Sequence, residues 1–269
     1  MTSTPSDPAV SSPLVRQGRT ATILRPYLSV VVPVWNAANR LPATVYALSG
    51  VLEAQPYQSE LILVDDHSDA ATEYALRSIR CRVPMRAFRN TRNRGKGFSV
   101  ARGMLAARGD LRVFTDADLA YSALGIEAIV DALERKHDVA IACRVLRESR
   151  YLMSPDFFPY LFTRHILSRG YNAVVRAALV PGVLDTQAGL KGFTAGAADA
   201  VFPRVRIPGF GFDVETLFVA QRHGLTVRQT AVNFRYDREP STVRFLQAAG
   251  TMAGDLFRIK LNGWRGRYA

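Results

Sequence analysis

The chain has 269 residues, 48% of them hydrophobic and 22% charged, which is the balance of a folded protein long enough for one large domain and a sizeable core. Its 35 Lys and Arg against 23 Asp and Glu give a net charge of +12, and its two cysteines exclude a disulfide framework and a cysteine-built metal centre. No apolar run reaches the roughly 18 residues of a membrane span, and residues 1–20 lack the apolar segment of a signal peptide.

In chain order, residues 1–25 are rich in Ser, Thr and Pro and read as a disordered tail. Leu28–Pro33 is a short β-branched run expected as a buried strand, and Leu41–Ala54 has helical spacing. Glu60–Asp66 reads as a second strand ending in acids, followed by a helix over Thr72–Ile79 and a strand over Met85–Phe88. Gly97–Ala107 is expected as a helix, Leu111–Thr115 as a strand running into Asp116 and Asp118, Ile126–Glu134 as a helix and Val139–Cys143 as a strand. Tyr160–Val180 reads as a long basic amphipathic helix, Gly189–Phe193 as a strand, Phe212–His223 as a helix, Leu225–Phe234 as containing a strand, and Val243–Leu261 as a second basic amphipathic helix.

Strands alternating with helices predict an α/β fold, a mostly parallel sheet flanked by helices. The expected division is a tail over 1–25, a catalytic domain over 26–240 and a C-terminal amphipathic helix over 241–269. Such sheets bind ligands at the carboxyl ends of their strands, and two of these strands end in acids. The charge is uneven as well: residues 1–133 carry 15 basic and 12 acidic groups, residues 134–269 carry 20 and 11. A basic second half suits an anionic partner, whether nucleic acid, a phosphorylated substrate or an anionic membrane surface.

Asp116 and Asp118 stand two residues apart after a strand. If the strand persists they face one side, about 6–7 Å apart along the backbone, and both reach one divalent cation. Hard oxygen ligands suit Mg²⁺ or Mn²⁺, which share substrate phosphates and neutralise a diphosphate leaving group. A solvated turn is the plainer reading. Asp65 and Asp66 end another strand, where a carboxylate can accept from a nucleobase N–H or a ribose hydroxyl, or cap the next helix together with Ser68 or Asp69. Asn93–Gly97 precedes a helix, so Lys96 and exposed N–H groups form a candidate anion site; it is not a Walker A loop, since Gly follows the lysine. Asp185–Phe193 is dense in polar residues and glycine, and Asp213 and Glu215 sit at a helix start, where the macrodipole also favours acids. His67, His137, His165 and His223 have no metal spacing, and Cys143, closing an apolar run, reads as a buried inert thiol.

Taken in order, the segments Val30–Asn36, Leu63–Ser68, Asn93–Gly97 with Gly103, Asp116–Asp118, Cys143–Arg144, Asp185–Phe193 and Phe212–Glu215 resemble glycosyltransferase family 2, with the GT-A fold. Within it the chain is similar to the polyprenyl-phosphate sugar synthases, most of all the dolichyl-phosphate β-glucosyltransferase group, over roughly Tyr27 to Leu261. The run Asp-Thr-Gln-Ala-Gly-Leu-Lys-Gly-Phe carries that assignment.

The resemblance implies roles by position. Pro33 and Trp35, with Asn36 beside them, flank the nucleotide base, and Asp65 or Asp66 binds base or ribose. Asp116 and Asp118 hold the metal diphosphate, Asp118 as the closer ligand. Arg144 and Arg164 hold the lipid phosphate, while Asp185, Gln187, Lys191, Asp213 and Glu215 shape the sugar and acceptor pocket. The implied reaction moves a hexose from a nucleotide sugar, with UDP-glucose the leading donor, to a polyprenyl phosphate by one inverting displacement. Implied with it are a Mg²⁺ or Mn²⁺ cofactor, a cytoplasmic location at the cytoplasmic face of a membrane, contact of the basic helices with that surface, and room for a small membrane-anchor protein. The chain departs from the family pattern in three places: Asn36 is followed by Ala37 and Ala38, His67 replaces a usual Gly, and Ser241-Thr242 replaces a Ser-Lys pair, leaving Arg238 or Arg244 to serve the phosphate. A non-lipid glycan or small-molecule acceptor is the alternative within enzymes. A basic nucleic-acid-binding protein is the alternative outside them; no zinc finger, RNP-type strand or basic recognition helix stands out, so nucleic acid is not the expected partner.

Overall fold

A computed structural model of the chain describes residues 15–17, 25–118, 120–122, 124–152, 173, 175–235 and 245–269. Ten strands are described: β1 (Val15–Gln17), β2 (Leu28–Val34), β3 (Ser59–Asp65), β4 (Met85–Arg89), β5 (Leu111–Thr115), β6 (Val139–Cys143), β7 (Arg150–Leu152), β8 (Leu190–Thr194), β9 (Val227–Ala231) and β10 (Asn233–Arg235). The described helices are α1 (Leu41–Glu53), α2 (Ala70–Ser78), α3 (Lys96–Ala106), α4 (Leu124–Glu134), α5 (Ala195–Val201), α6 (Phe212–Arg222) and α7 (Phe245–Trp264).

Eight strands form one sheet in the order β1-β4-β3-β2-β5-β8-β6-β9, mostly parallel, with β1 and β8 reversed. The middle of β3, residues 61–64, is apolar without alternation because both faces are buried, with a cluster of core side chains on each. Pro33 fits in the central strand β2 for a local reason. The Val34 carbonyl bonds toward β3, so position 33 faces β5, and the β2–β5 ladder has ended at Val31↔Phe114.

Chain order runs from β2 outward through β3 and β4, then returns to β5 on the other side of β2. That reversal opens a crevice at the carboxyl ends of β2, β3 and β5. The antiparallel β8 enters beside β5 in the register Thr115↔Leu190, which sets Asp116 against Gly189. β6 brings Arg144 to the same edge, next to the segment that leads into β8.

Several expectations need correction. The tail is not structureless throughout, since Val15–Gln17 pairs with β4 as an edge strand; residues 1–14 and 18–24 lie outside the described residues. The strand expected within Leu225–Phe234 is two strands, because Val232 leaves the sheet to bond Ser149 and Arg150, and β10 then pairs with β7. Of the helix expected over Tyr160–Val180, residues 175–178 are helical with Val175 in the core, and most of the remainder, Arg164 and Arg169 included, is outside the described residues. The C-terminal helix is present, and its inner face belongs to the domain: Ile259, and Tyr268 beyond it, join the core cluster under β8 and α6. Among the described residues no helix is long and apolar enough to cross a membrane.

Helix α3 lies close on the sheet because Gly103 has no side chain. A Cβ there would stand 2.3 Å from Val31 Cγ1 and 3.1 Å from Val64 Cγ2, both buried. Ala in a helix gains up to about 1 kcal/mol over Gly, whereas overpacking costs about 1–3 kcal/mol. Gly103→Ala is therefore expected to lower the urea midpoint; an unchanged or raised midpoint would refute this packing.

Candidate active site

The acids at the end of β5 are held by a charged neighbour and by a glycine. Asp116 Oδ1 lies 2.6 Å from Lys96 Nζ, carried on the first residue of α3. The other oxygen rests on Gly189, where an added Cβ would come within 1.9 Å of Oδ2. The Thr44 hydroxyl of α1 donates to the Ala117 carbonyl at 2.7 Å and fixes the backbone between the two acids. Asp118 is exposed, and its Oδ1 accepts from the Ala120 N–H at 3.0 Å. Partial desolvation, then the neighbouring Asp116, pushes the pKa of Asp118 above its usual value.

Lys96 is placed by the loop before α3. Asp66 accepts from the backbone N–H groups of Arg94 and Gly95, and from the Asn90 amide, at 2.7–2.8 Å. Gly95 adopts φ 92°, a left-handed conformation that suits glycine. Burial works against the charge on Lys96, but Asp116, Asp213 and Asp118 outweigh it and its pKa is raised. The rings of Phe210 and Phe212 flank the ammonium at 5.9 and 5.7 Å.

Behind this pair lies a second one. Lys191, fully buried in β8, is paired with Asp213 at the start of α6 and donates to the Ala188 carbonyl at 2.7 Å. Burial lowers the Lys191 pKa and Asp213 opposes that shift. Three carboxylates, Asp116, Asp118 and Asp213, thus face two ammonium groups, and the Arg40 guanidinium acts on Asp118 as well.

Arg144 and Asp185 form the adjoining wall. Nε and Nη2 of Arg144 donate to the two oxygens of Asp185 at 2.7 and 2.9 Å, and the Arg144 N–H adds a third bond at 3.0 Å. Burial would raise the Asp185 pKa, but Arg144 outweighs it and holds the carboxyl low. The Arg144 side chain keeps 26% exposure, enough to offer its free edge to an anion. Gln187 lies 3.8 Å from the Met252 sulfur of α7.

At the far side of the crevice Trp35 is 53% exposed and Pro33 half-buried. Asn36 and His67 have positive φ values of 45° and 60°, and the two loops are stapled together: Asn36 N–H donates to Ser68 Oγ and Asp69 N–H to Asn36 Oδ1. Asp65 is buried against Arg89 at 2.5 Å and accepts from the Ser68 N–H.

The structure thus gathers Asp116, Asp118, Lys96, Lys191, Asp213, Arg144, Asp185 and Gln187 along one sheet edge, with Pro33, Trp35 and Asn36 at the end of β2, the strand next to β5. It corrects one candidate. Glu215 does not line the pocket: it is fully buried and accepts from the N–H groups of Arg206 and Ile207 and from the Tyr268 hydroxyl. Asp65 and Asp66 sit at the expected place but are engaged by internal donors. Arg164, Arg238 and Arg244 lie outside the described residues. Thr44, Gly189 and Tyr121, whose hydroxyl accepts from the Gly189 N–H, were not singled out for these roles. A concavity of about 850 Å³ between α4 and β9 contains none of these residues.

The residues fit a divalent cation. Asp116 and Asp118 are hard oxygen donors, and the second oxygen of Asp118 has no hydrogen-bond partner among the described residues. No cluster of three or more His, Cys, Asp or Glu occurs among the described residues, so an ion here would complete its shell with water and ligand phosphate, as Mg²⁺ does.

A model described as glycosyl transferase family 2 matches residues 29–178, more than half the chain. The chain belongs to glycosyltransferase family 2. This family 2 enzyme is 31% identical over 245 residues to a dolichyl-phosphate β-glucosyltransferase of Dictyostelium discoideum, covering 87% of this chain and 74% of that one. To the human protein of the same name it is 31% identical over 258 residues, covering 88% and 77%. A Pyrococcus furiosus dolichol-phosphate mannosyltransferase is 29% identical over 168 residues, covering 62% and 45%. Among solved structures, glucosyl-3-phosphoglycerate synthase from Mycobacterium tuberculosis in complex with Mn²⁺, UDP-glucose and phosphoglyceric acid superposes with a TM-score of 0.64 at 17% identity, covering 87% of this chain and 79% of that one. The same protein with Mg²⁺ and UDP gives 0.61 at 18% identity, covering 88% and 79%. These likenesses establish the GT-A fold.

Gly189→Ala tests the seat of Asp116. The atom in the way is the end of a side chain, which can swing aside, so the fold is expected to survive with under about 2 kcal/mol lost. The displaced acid should lower kcat/KM at least tenfold. Full activity in a folded variant would show that Asp116 does not need this seat.

Proposed function

We propose that the enzyme transfers a hexose, with UDP-glucose the favoured donor, to a polyprenyl phosphate, forming a lipid-phosphate sugar by inversion at the anomeric carbon. The observation that carries this reading is the pair Asp116–Asp118 at the switch point, with Asp118 open to a ligand and with the partly exposed Arg144 at the same sheet edge. The names of the relatives support the lipid phosphate acceptor and the glucosyl donor. The neighbours crystallised with Mn²⁺ or Mg²⁺ and UDP or UDP-glucose support the donor class and a divalent cofactor.

In this reading Trp35 and Pro33 receive the base. Asp116 and Asp118 would hold Mg²⁺ or Mn²⁺, which supplies charge neutralisation for the nucleoside diphosphate. Lys96 offers a further positive charge to the same leaving group. Asp185 orients Arg144 by a two-pronged ion pair, so that the guanidinium can grip the acceptor phosphate. A phosphate monoester has a second pKa of about 6 and is largely a dianion at neutral pH. Its oxygen attacks the anomeric carbon, the bond to the diphosphate oxygen breaks, and the nucleoside diphosphate departs. No general base is required, and the protein acts by positioning and electrostatics. Both cysteines are free, which suits a reducing compartment, and the reading places the enzyme at the cytoplasmic face of a membrane.

Asp118→Asn is expected to keep the fold and to lower turnover at least about 100-fold; normal turnover would remove the acid from the reaction. Arg144→Lys is the cleaner test of the acceptor side, because removing the arginine would strand the buried Asp185. It should raise the acceptor KM about tenfold or more while donor affinity stays within about twofold. A parallel weakening of donor binding would contradict the assignment. The reading as a whole is tested with a panel of radiolabelled nucleotide sugars, polyprenyl phosphate and Mn²⁺ or Mg²⁺. Label from UDP-glucose should enter the organic phase, and no lipid-linked label from any donor would overturn it.

A further inference from the structure

We propose that Tyr268 is a positioning residue for Lys96: its hydroxyl, acting through Glu215 and the backbone at 206–208, sets the start of α3 and with it the ammonium that meets the departing diphosphate. The inference rests on the leaving-group role given to Lys96 above.

Beyond α7 the chain folds back on the domain. Gly266 takes φ 67°, and the N–H groups of Arg265, Gly266 and Arg267 donate to the carbonyls of Leu261, Gly263 and Asn262. This turn carries Tyr268 into the core, where it is 1% exposed and its ring centroid lies 5.8 Å from that of Phe218. The Tyr268 hydroxyl donates to Oε1 of Glu215 on α6 and accepts from Nδ2 of Asn262. The Tyr268 carbonyl lies 2.8 Å from His223 Nε2, so the residue is held at both ends.

Glu215 carries the contact onward. Its second oxygen accepts from the N–H groups of Arg206 and Ile207 at 2.9 and 2.7 Å. One residue later the Pro208 carbonyl accepts from the N–H groups of Gly97 and Phe98 at 2.7 and 3.3 Å, donors that the start of a helix leaves open. Lys96 stands between two glycines pressed on this same backbone. A Cβ on Gly95 would lie 2.5 Å from the Pro208 oxygen, and one on Gly97 2.6 Å from the Ile207 oxygen. With no side chain in between to give way, a shift of residues 207–208 passes directly to Lys96. The lysine meets Asp116 at 2.6 Å, so such a shift is felt at the site.

Packing alone does not call for the hydroxyl, since a phenyl ring would fill the same space beside Phe218. The hydroxyl supplies a donor to a buried carboxylate oxygen that has no other partner among the described residues. A buried carboxylate short of a donor turns toward those it can still reach. Here they are the two N–H groups that fix the 206–208 turn.

UDP with Mn²⁺ is the probe, because it presents the diphosphate and needs no acceptor. Its affinity is measured by calorimetry for the full chain as wild type, Tyr268→Phe, Lys96→Gln and the two combined, with the urea midpoint of each showing that it is folded. Lys96→Gln should weaken UDP binding about tenfold or more, and Tyr268→Phe about threefold to fivefold. In the Lys96→Gln background, Tyr268→Phe should change the affinity by less than about twofold, because the group it acts through is gone. Phe218→Leu loosens the packing of the ring and leaves its hydroxyl bonded; it should lower the urea midpoint and keep UDP affinity within about twofold of the wild type. The proposal is overturned if Tyr268→Phe binds UDP as the wild type does, if its loss persists in full beside Lys96→Gln, or if Phe218→Leu loses as much affinity as Tyr268→Phe. Normal UDP binding by Lys96→Gln would contradict the leaving-group role of the lysine, and the proposal would fall with it.

Discussion

Alternating charge at the carboxyl edge of the sheet governs the site. Asp116 meets Lys96, Asp213 meets Lys191, and Lys96 is drawn to Asp213 as well. Carboxylates crowded at one strand end repel strongly where water is scarce. The two lysines permit that crowding, one from a helix start and one from a buried strand position. Asp118 has no lysine paired to it, only the more distant Lys96 and Arg40, so its carboxylate is the one left open where a cation-bound diphosphate would sit. The same logic orders the neighbouring wall, where Asp185 is buried against Arg144 and aims it.

Backbone closeness makes these pairings possible. The antiparallel entry of β8 puts Gly189 under Asp116, and no other residue leaves room for the carboxylate. The Tyr121 hydroxyl takes the Gly189 N–H, and the Thr44 hydroxyl takes the Ala117 carbonyl, so the seat is fixed from both sides. On the other flank Asp66 spends its oxygens on the loop that presents Lys96. Several acids at this edge thus position neighbours and leave direct contact with ligand to others.

The sequence made the sheet legible where burial is complete. The largely apolar stretches of β2, β3, β5 and β6 are unmistakable, and the acids at the ends of two of them mark the edge where ligand belongs. Less was legible where the deciding partner is a backbone group far along the chain. Glu215 looks like a pocket acid at a helix start, yet its partners are two N–H groups and Tyr268. Nothing local distinguishes it from Asp213, two residues earlier, which does face the ionic cluster. β1 escaped because three residues carry no periodicity, and the break at Val232 because a single hydroxyl, Ser149, makes it. Gly189 was visible as part of a glycine-containing run, but its purpose depends on a register that only the folded sheet supplies.

A crystal structure of the chain with UDP and Mn²⁺ tests the central claim most directly. The account predicts an anomalous manganese peak bridging the diphosphate and Asp118, with Asp116 still seated over Gly189 and the Lys96 ammonium within reach of a phosphate oxygen. A diphosphate bound away from this edge, or manganese held without either acid, would contradict it.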